Sequence, residues 1–242
     1  MNSRLKAKKD SILSTGVFIT FEGTEGSGKT TQCKRLARSL RARGHRVLLT
    51  REPGGTPLAE AIRNLLLTSP LSSNSKEHMT PACETLLIMA ARVQHIDHVI
   101  VPALSNGTIV LCDRFFDSTL AYQGYGRNVN IQSMRMMNRF VTGGLEPDLT
   151  FLLDLPVEQG LRRRQRSRHQ NRIDQESAVF HEQVRKGFLR LAGQSPRRIQ
   201  KMDALQSPHV LAGEIETRTM QLLRSARSNR SHSSRGRARQ HR

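Results

Sequence analysis

Apolar positions in this chain follow two rhythms. Short, nearly unbroken apolar runs occupy Val17-Phe18-Ile19-Thr20-Phe21, Val47-Leu48-Leu49-Thr50, Thr108-Ile109-Val110-Leu111-Cys112 and residues 149–153, with a weaker run at 199–202. Runs this short, rich in β-branched and aromatic residues, predict strands buried on both faces. Between them, apolar residues recur at three- and four-residue spacing, the signature of amphipathic helices. The first such segment carries Cys33, Leu36, Ala37 and Leu40 and stops at Gly44; the second, over 57–67, carries Leu58, Ile62, Leu65 and Leu66. Thr80 before Pro81 opens a long helix to about Leu104, because a threonine cap followed by proline suits a first helical turn. Further helices are expected over 118–142 with an interruption at 124–127, from Pro156, over 177–192, and from Ser207-Pro208 to about Arg224. Strands alternating with helices imply an α/β domain, a parallel sheet covered on both faces with ligands at the carboxyl ends of its strands. The loops at 23, 51 and 113 would then lie together.

The loop after the first strand, Gly23-Thr24-Glu25-Gly26-Ser27-Gly28-Lys29-Thr30, fits the phosphate-binding pattern G-x-x-x-x-G-K-S/T in full. Its glycines let the backbone curl until successive N–H groups face phosphate oxygens; Lys29 reaches the terminal phosphates and the Thr30 hydroxyl can hold Mg²⁺. The following helix adds the positive end of its dipole. A nucleotide triphosphate is the expected ligand.

Charge sharpens this picture. The 242 residues carry a formal net charge of +19, and just over half of it sits at the ends: Arg4, Lys6, Lys8 and Lys9 near the start, and seven arginines without an acid in 224–242. We therefore read residues 1–15 as a basic extension, 16–224 as one domain and 225–242 as a basic tail without fixed structure, able to make weak nonspecific contacts with nucleic acid. The body keeps a positive balance, which suits an enzyme that gathers several phosphates. Cys33, Cys83 and Cys112 lie far apart with no C-x-x-C spacing, so neither disulfides nor zinc are expected and a reducing cytoplasm is the expected compartment. The basic start and SILSTGVFITF lack a cleavage pattern and lead into the phosphate loop, so they do not read as a signal peptide. No run reaches the roughly 18 apolar residues a membrane span needs.

Asp113 ends an apolar strand, where a carboxylate needs a partner or a task; orienting Mg²⁺ with Thr30 is such a task. Arg51, Arg92 and Arg114 fall at strand-end loops or on the long central helix, placed to fork onto phosphate oxygens. A denser set, Arg162, Arg163, Arg164, Arg166, Arg168 and Arg172, repels itself until an anion arrives, as a closing lid over a triphosphate would. If the acceptor is a phosphate monoester, its second pKa near 6 leaves it nucleophilic at neutral pH and no general base is required. A hydroxyl acceptor would want a carboxylate, and Glu25 and Glu52 keep that alternative open.

The pieces FEGTEGSGKTT, TREPGGTPLAE, AARVQH, PALSNGTIVLCDRFFDSTLAYQG, PDLTFLLDLPVEQGL and NRIDQES, in this order, resemble the thymidylate kinase family over residues 16 to about 225. The resemblance implies a P-loop NTPase fold with a five-stranded parallel sheet, a homodimer, and Mg²⁺-dependent transfer of the ATP γ-phosphoryl group to dTMP. It implies that Gly23, Thr24, Glu25, Gly26, Ser27, Gly28, Lys29 and Thr30 hold ATP and that Thr30 and Asp113 hold the metal. On the acceptor side it implies Glu25, Arg51, Ile88, Arg92, Arg114, Ser118, Thr119, Tyr122 and Gln123. With no arginine in the phosphate loop, the catalytic arginine is expected in the lid at 162–172, from Arg163, Arg166 or Arg168, working beside Lys29 and Arg114. Three positions depart from the family's usual pattern: Ile88 for a phenylalanine that stacks on thymine, Ser167 for a lid arginine, and Asn171 for an aspartate. A kinase of this fold with another nucleoside or monophosphate acceptor, and a nucleic-acid-binding protein with a relic nucleotide site, are the competing readings.

Overall fold

The computed structural model describes residues 16–68, 78–165 and 171–238. Five strands, β1 (Val17–Glu22), β2 (Val47–Arg51), β3 (Ile109–Asp113), β4 (Leu149–Asp154) and β5 (Ile199–Asp203), form one sheet. Its order is β2-β3-β1-β4-β5, and every neighbouring pair runs parallel. The expected α/β class and the five strands are as read from the apolar runs. β1 lies at the centre with every residue buried, whereas edge strand β5 is only partly buried, which explains the weaker apolar signal at 199–202.

Because side chains alternate across a strand, β1 feeds two cores. Val17, Ile19 and Phe21 join Cys33, Leu36 and Leu40 of α1 (Lys29–Ala42) and Leu211 and Ile215 of the C-terminal helix on one face. Phe18 meets Ile96, Ile100, Leu104 and Phe115 on the other face. Threonine caps start α2 (Pro57–Leu67) and α3 (Pro81–His95): Thr56 accepts from Ala59 N and Thr80 from Cys83 N, each ahead of a first-turn proline. α3 continues through a wide π turn (Ile96–Ile100) into a last α turn (Val101–Ser105). Pro102 withholds an N–H from this ladder, a cause of local rewinding. A short α4 (Phe116–Thr119) also widens into π geometry over Leu120–Gly126, followed by α5 (Ile131–Val141), α6 (Val157–Gln165) and α7 (Ala178–Gln194).

The last helix, α8 (Pro208–Ala238), runs well past the expected end near Arg224. No proline interrupts 225–238 and arginine is a good helix former, so the backbone continues although the apolar stripe has ended. Adjacent parallel strands β2, β3 and β1 put the loops that follow them on one edge. Those are the loops at 51, 113 and 23.

Candidate active site

The phosphate loop is shaped by its glycines. Gly23, Gly26 and Gly28 have φ of 140°, 70° and 90°, conformations that carry a side chain only with strain. Space matters as well: a Cβ on Gly26 would lie 2.1 Å from the Gly160 carbonyl oxygen, and one on Gly160 would lie 2.4 Å from the Glu25 carbonyl oxygen. The loop and α6 therefore touch backbone to backbone. Lys29 folds over the loop, donating to Thr24 O at 2.7 Å and Ser27 Oγ at 3.2 Å. Burial, and then Arg114, lower its pKa to about 8 against the opposing pull of Glu25 and Asp113.

At the end of β3, Thr30 donates its hydroxyl proton to Asp113. These two oxygen-bearing side chains suit a hard cation such as Mg²⁺; among the described residues, no larger cluster of His, Cys, Asp or Glu could hold a metal. The next residue, Arg114, has φ 73°, uncommon for a residue with a Cβ. This turn aims its guanidinium back under the phosphate loop, where it donates to Gly23 O (3.1 Å), Ser118 Oγ (3.0 Å), Tyr122 Oη (3.1 Å) and Glu25 Oε1 (2.8 Å). Burial alone would raise the Glu25 carboxyl, but Arg114 and Lys29 overcome it and hold it at about 2. Tyr122 also donates to Glu25 at 2.9 Å.

On the far side of the cavity, Arg92 is buried and tied down. It donates to Glu52 at 2.7 Å, Asn138 at 2.9 Å and Thr119 at 2.7 Å. Arg51 stands at the rim, paired with Glu60 at 3.0 Å. Nearby, Arg63 donates to Pro53 O at 2.9 Å. Ile88, Leu66 and Gln123 supply the apolar and amide lining. The C-terminal end of the lid closes over this end: Arg172 N donates to Leu67 O and Arg172 Nε to Leu66 O, and its guanidinium reaches Glu84. Asn171 Oδ1 accepts from Ile173 N and Asp174 N, and Arg164 pairs with Asp174 at 2.7 Å. The whole is a single cavity of about 560 Å³ that extends from Gly28, Lys29 and Thr30 past Arg114 to Ile88 and Gln123.

The thymidylate kinase family model matches residues 21–215. The chain belongs to the thymidylate kinase family. It is 54% identical over 194 residues to the thymidylate kinase of Geobacter sulfurreducens, covering 78% of this chain and 89% of that one. It is 48% identical over 202 residues to the thymidylate kinase of Pseudomonas putida, covering 84% and 94%. The crystal structure of thymidylate kinase from Ehrlichia chaffeensis is similar with a TM-score of 0.66 at 34% identity, over 86% of this chain and 99% of that one.

The residues expected from the family pattern gather as one group in this thymidylate kinase fold. Glu25, Gly26, Gly28, Lys29, Thr30, Arg51, Ile88, Arg92, Asp113, Arg114, Ser118, Thr119, Tyr122, Gln123 and Arg163 all line the cavity. Gly23, Thr24 and Ser27 shape the loop from behind. Arg166, Ser167 and Arg168 lie outside the described residues. Arg163 sits at the cavity and donates to Ala204 O at 3.1 Å. Sequence reasoning passed over Glu84, Arg63 and Glu22. Glu84 reads as an ordinary acid in the first turn of α3, and Arg63 as the polar face of α2. Glu22 reads as the end of a strand; here it accepts from Phe115 N at 2.8 Å and Ser118 Oγ at 2.5 Å, with its pKa raised by burial and then by Asp117.

Proposed function

We propose the following division of labour for transfer of the ATP γ-phosphoryl group to dTMP, the reaction that membership of the thymidylate kinase family carries. The backbone from Gly23 to Gly28 cradles the ATP phosphates, with Lys29 as the cation of the loop. Thr30 and Asp113 would hold Mg²⁺, which neutralises phosphate charge when bound. Arg114, with its charge secured by Glu25, faces the gap between donor and acceptor. Arg51 and Arg63 approach the acceptor phosphate from the rim. Arg92 acts mainly by fixing Thr119 and Glu52, so it positions the acceptor wall while two of its five N–H groups remain for the acceptor. Arg163, with Arg166 and Arg168 beyond it in sequence, supplies the lid cations.

The observation that carries this reading is the continuous cavity, cationic where two anionic groups must meet and apolar where a base would lie. A phosphate monoester is already a nucleophile at neutral pH. The task left to the protein is electrostatic, holding two anions together and stabilising the charge that shifts between them. Ile88 offers the base an aliphatic wall where an aromatic ring would add stacking. The three free cysteines, two of them buried, fit a reducing cytoplasm, and no helix among the described residues is long and apolar enough to cross a membrane. Exposed Leu58, Leu65, Leu86, Met136 and Phe140 on α2, α3 and α5 support the proposal that the chain pairs with a second copy. Weak nonspecific contact of the basic C-terminal residues with nucleic acid is an accessory property in this proposal.

The test is a coupled ADP-release assay with ATP and Mg²⁺, offering dTMP, dUMP, CMP, AMP and thymidine separately. A strong preference for dTMP is expected, and Lys29→Ala should lower turnover by about a hundredfold or more with the fold intact. Preference for thymidine over dTMP would overturn the monophosphate reading, and near-normal turnover in Lys29→Ala would remove Lys29 from the mechanism.

A further inference from the structure

Glu84 is buried, with 1% of its surface exposed, yet it carries charge and serves three partners. Its Oε1 accepts from Gln123 Nε2 at 2.7 Å, Arg127 approaches both oxygens at 3.5 Å, and the Arg172 guanidinium donates to Oε2. Burial by itself would raise the carboxyl, but Arg172, Gln123 and Arg127 hold it below its ordinary range. An ionised carboxylate has no proton to donate. The Gln123 amide therefore has to turn its NH₂ edge toward Glu84, and the edge left for a ligand is the carbonyl oxygen. Gln123 lines the same cavity as Ile88, which lies one helical turn beyond Glu84 on α3.

We propose that Glu84 is a positioning residue for acceptor selection: it locks the Gln123 amide so that Oε1 meets the base, and thereby selects a pyrimidine that carries a ring N–H. This rests on reading the cavity as the dTMP site. Thymine and uracil present a donor at N3; cytosine presents a lone pair there. Against a locked carbonyl, cytosine sets two acceptors face to face, and unmet buried polar groups cost about 1–3 kcal/mol, roughly five- to 150-fold in selectivity. Without the charge at 84, the amide can rotate and offer either edge. Glu84 also anchors Arg172 at the root of the lid, so its loss could lower activity for a second reason. The selectivity ratio separates the two effects.

The experiment measures kcat/KM for dTMP and dCMP in the wild type, E84Q and R172Q. For E84Q, the dTMP-to-dCMP ratio should fall by about fivefold or more, because a neutral amide can pair with either edge of Gln123. For R172Q, which leaves the Glu84–Gln123 contact in place, both acceptors should lose activity in step and the ratio should hold. An unchanged ratio in folded E84Q overturns the proposal. If E84Q does not fold, the wild type is tested with dTMP methylated at N3; the proposal requires a kcat/KM lower by about fivefold or more, and an undiminished value overturns it. A wild type inactive on dTMP would instead defeat the underlying site reading, an outcome visible before any variant is compared.

Discussion

Lys29 is a cation held where water stabilises it poorly. Burial and the neighbouring Arg114 lower its pKa to about 8, while bound phosphate would restore it. The free enzyme should therefore lose ATP affinity as pH rises through about 8, and kcat/KM for ATP should bend downward there while kcat at saturating ATP stays flatter. A profile without that bend would mean Lys29 stays protonated by other means. Lys29 and Glu25 both make stability rise with pH, in separate windows. Between pH 8 and the ordinary lysine value of 10.5, the unfolded chain holds a proton the folded one has lost, so this group makes stability rise with pH. Glu25, held at about 2 against an ordinary 4.5, contributes stability above 4.5 that disappears as pH falls toward 2. Lys29, Thr30 and Asp113 were legible in the chain because their pattern is local and chemically narrow. Glu84 and the Glu52–Arg92 pair were not. Their meaning comes from partners 39 to 88 residues away, and no local spacing distinguishes a buried carboxylate from a solvated one.

At the scale of elements, the contact between the phosphate loop and α6 reverses an ordinary rule. Alanine in place of a helical glycine usually stabilises by about 0.5–1 kcal/mol. At Gly160 the new methyl would meet the Glu25 carbonyl oxygen at 2.4 Å, and crowding against backbone typically costs about 1–3 kcal/mol. Gly160→Ala should lower the midpoint of thermal unfolding and raise KM for ATP. Gly213→Ala in α8, where a methyl meets nothing within 4 Å, should raise the midpoint. Calorimetry on both variants checks the pair, and a stabilised Gly160→Ala would show that the loop gives way. Strand positions, the Thr80 helix start and the shared loop edge were readable from short apolar runs and local signals, whereas the order β2-β3-β1-β4-β5 was not, because it depends on pairing between distant segments. The π turns at Ile96–Ile100 and Leu120–Gly126 were not, because apolar spacing alone does not reveal a wider turn. The second of them carries Tyr122 and Gln123 to the cavity.

Over the whole molecule, catalysis and net charge are unevenly shared. The cavity and both cores lie between residues 17 and 223, and Leu223 is the last buried apolar residue among those described. Removing residues 225–242 should leave kcat and KM for both substrates within about twofold, since surface changes away from the core are usually small. The same truncation should weaken retention on a polyanion column, as several arginines are lost. Steady-state kinetics and salt elution measure the two effects, and collapsed catalysis would move the domain boundary into α8.

The undivided cavity of about 560 Å³ also matters for ligand design. A compound with a nucleoside at each end and a phosphate chain between them would lose its rigid-body freedom once, where two substrates lose it twice. Once one end is seated, the other meets its wall at an effective concentration on the order of millimolar. The linking phosphates would then lie beside Lys29 and Arg114, so the number of phosphates becomes a ruler for the distance between the two nucleosides.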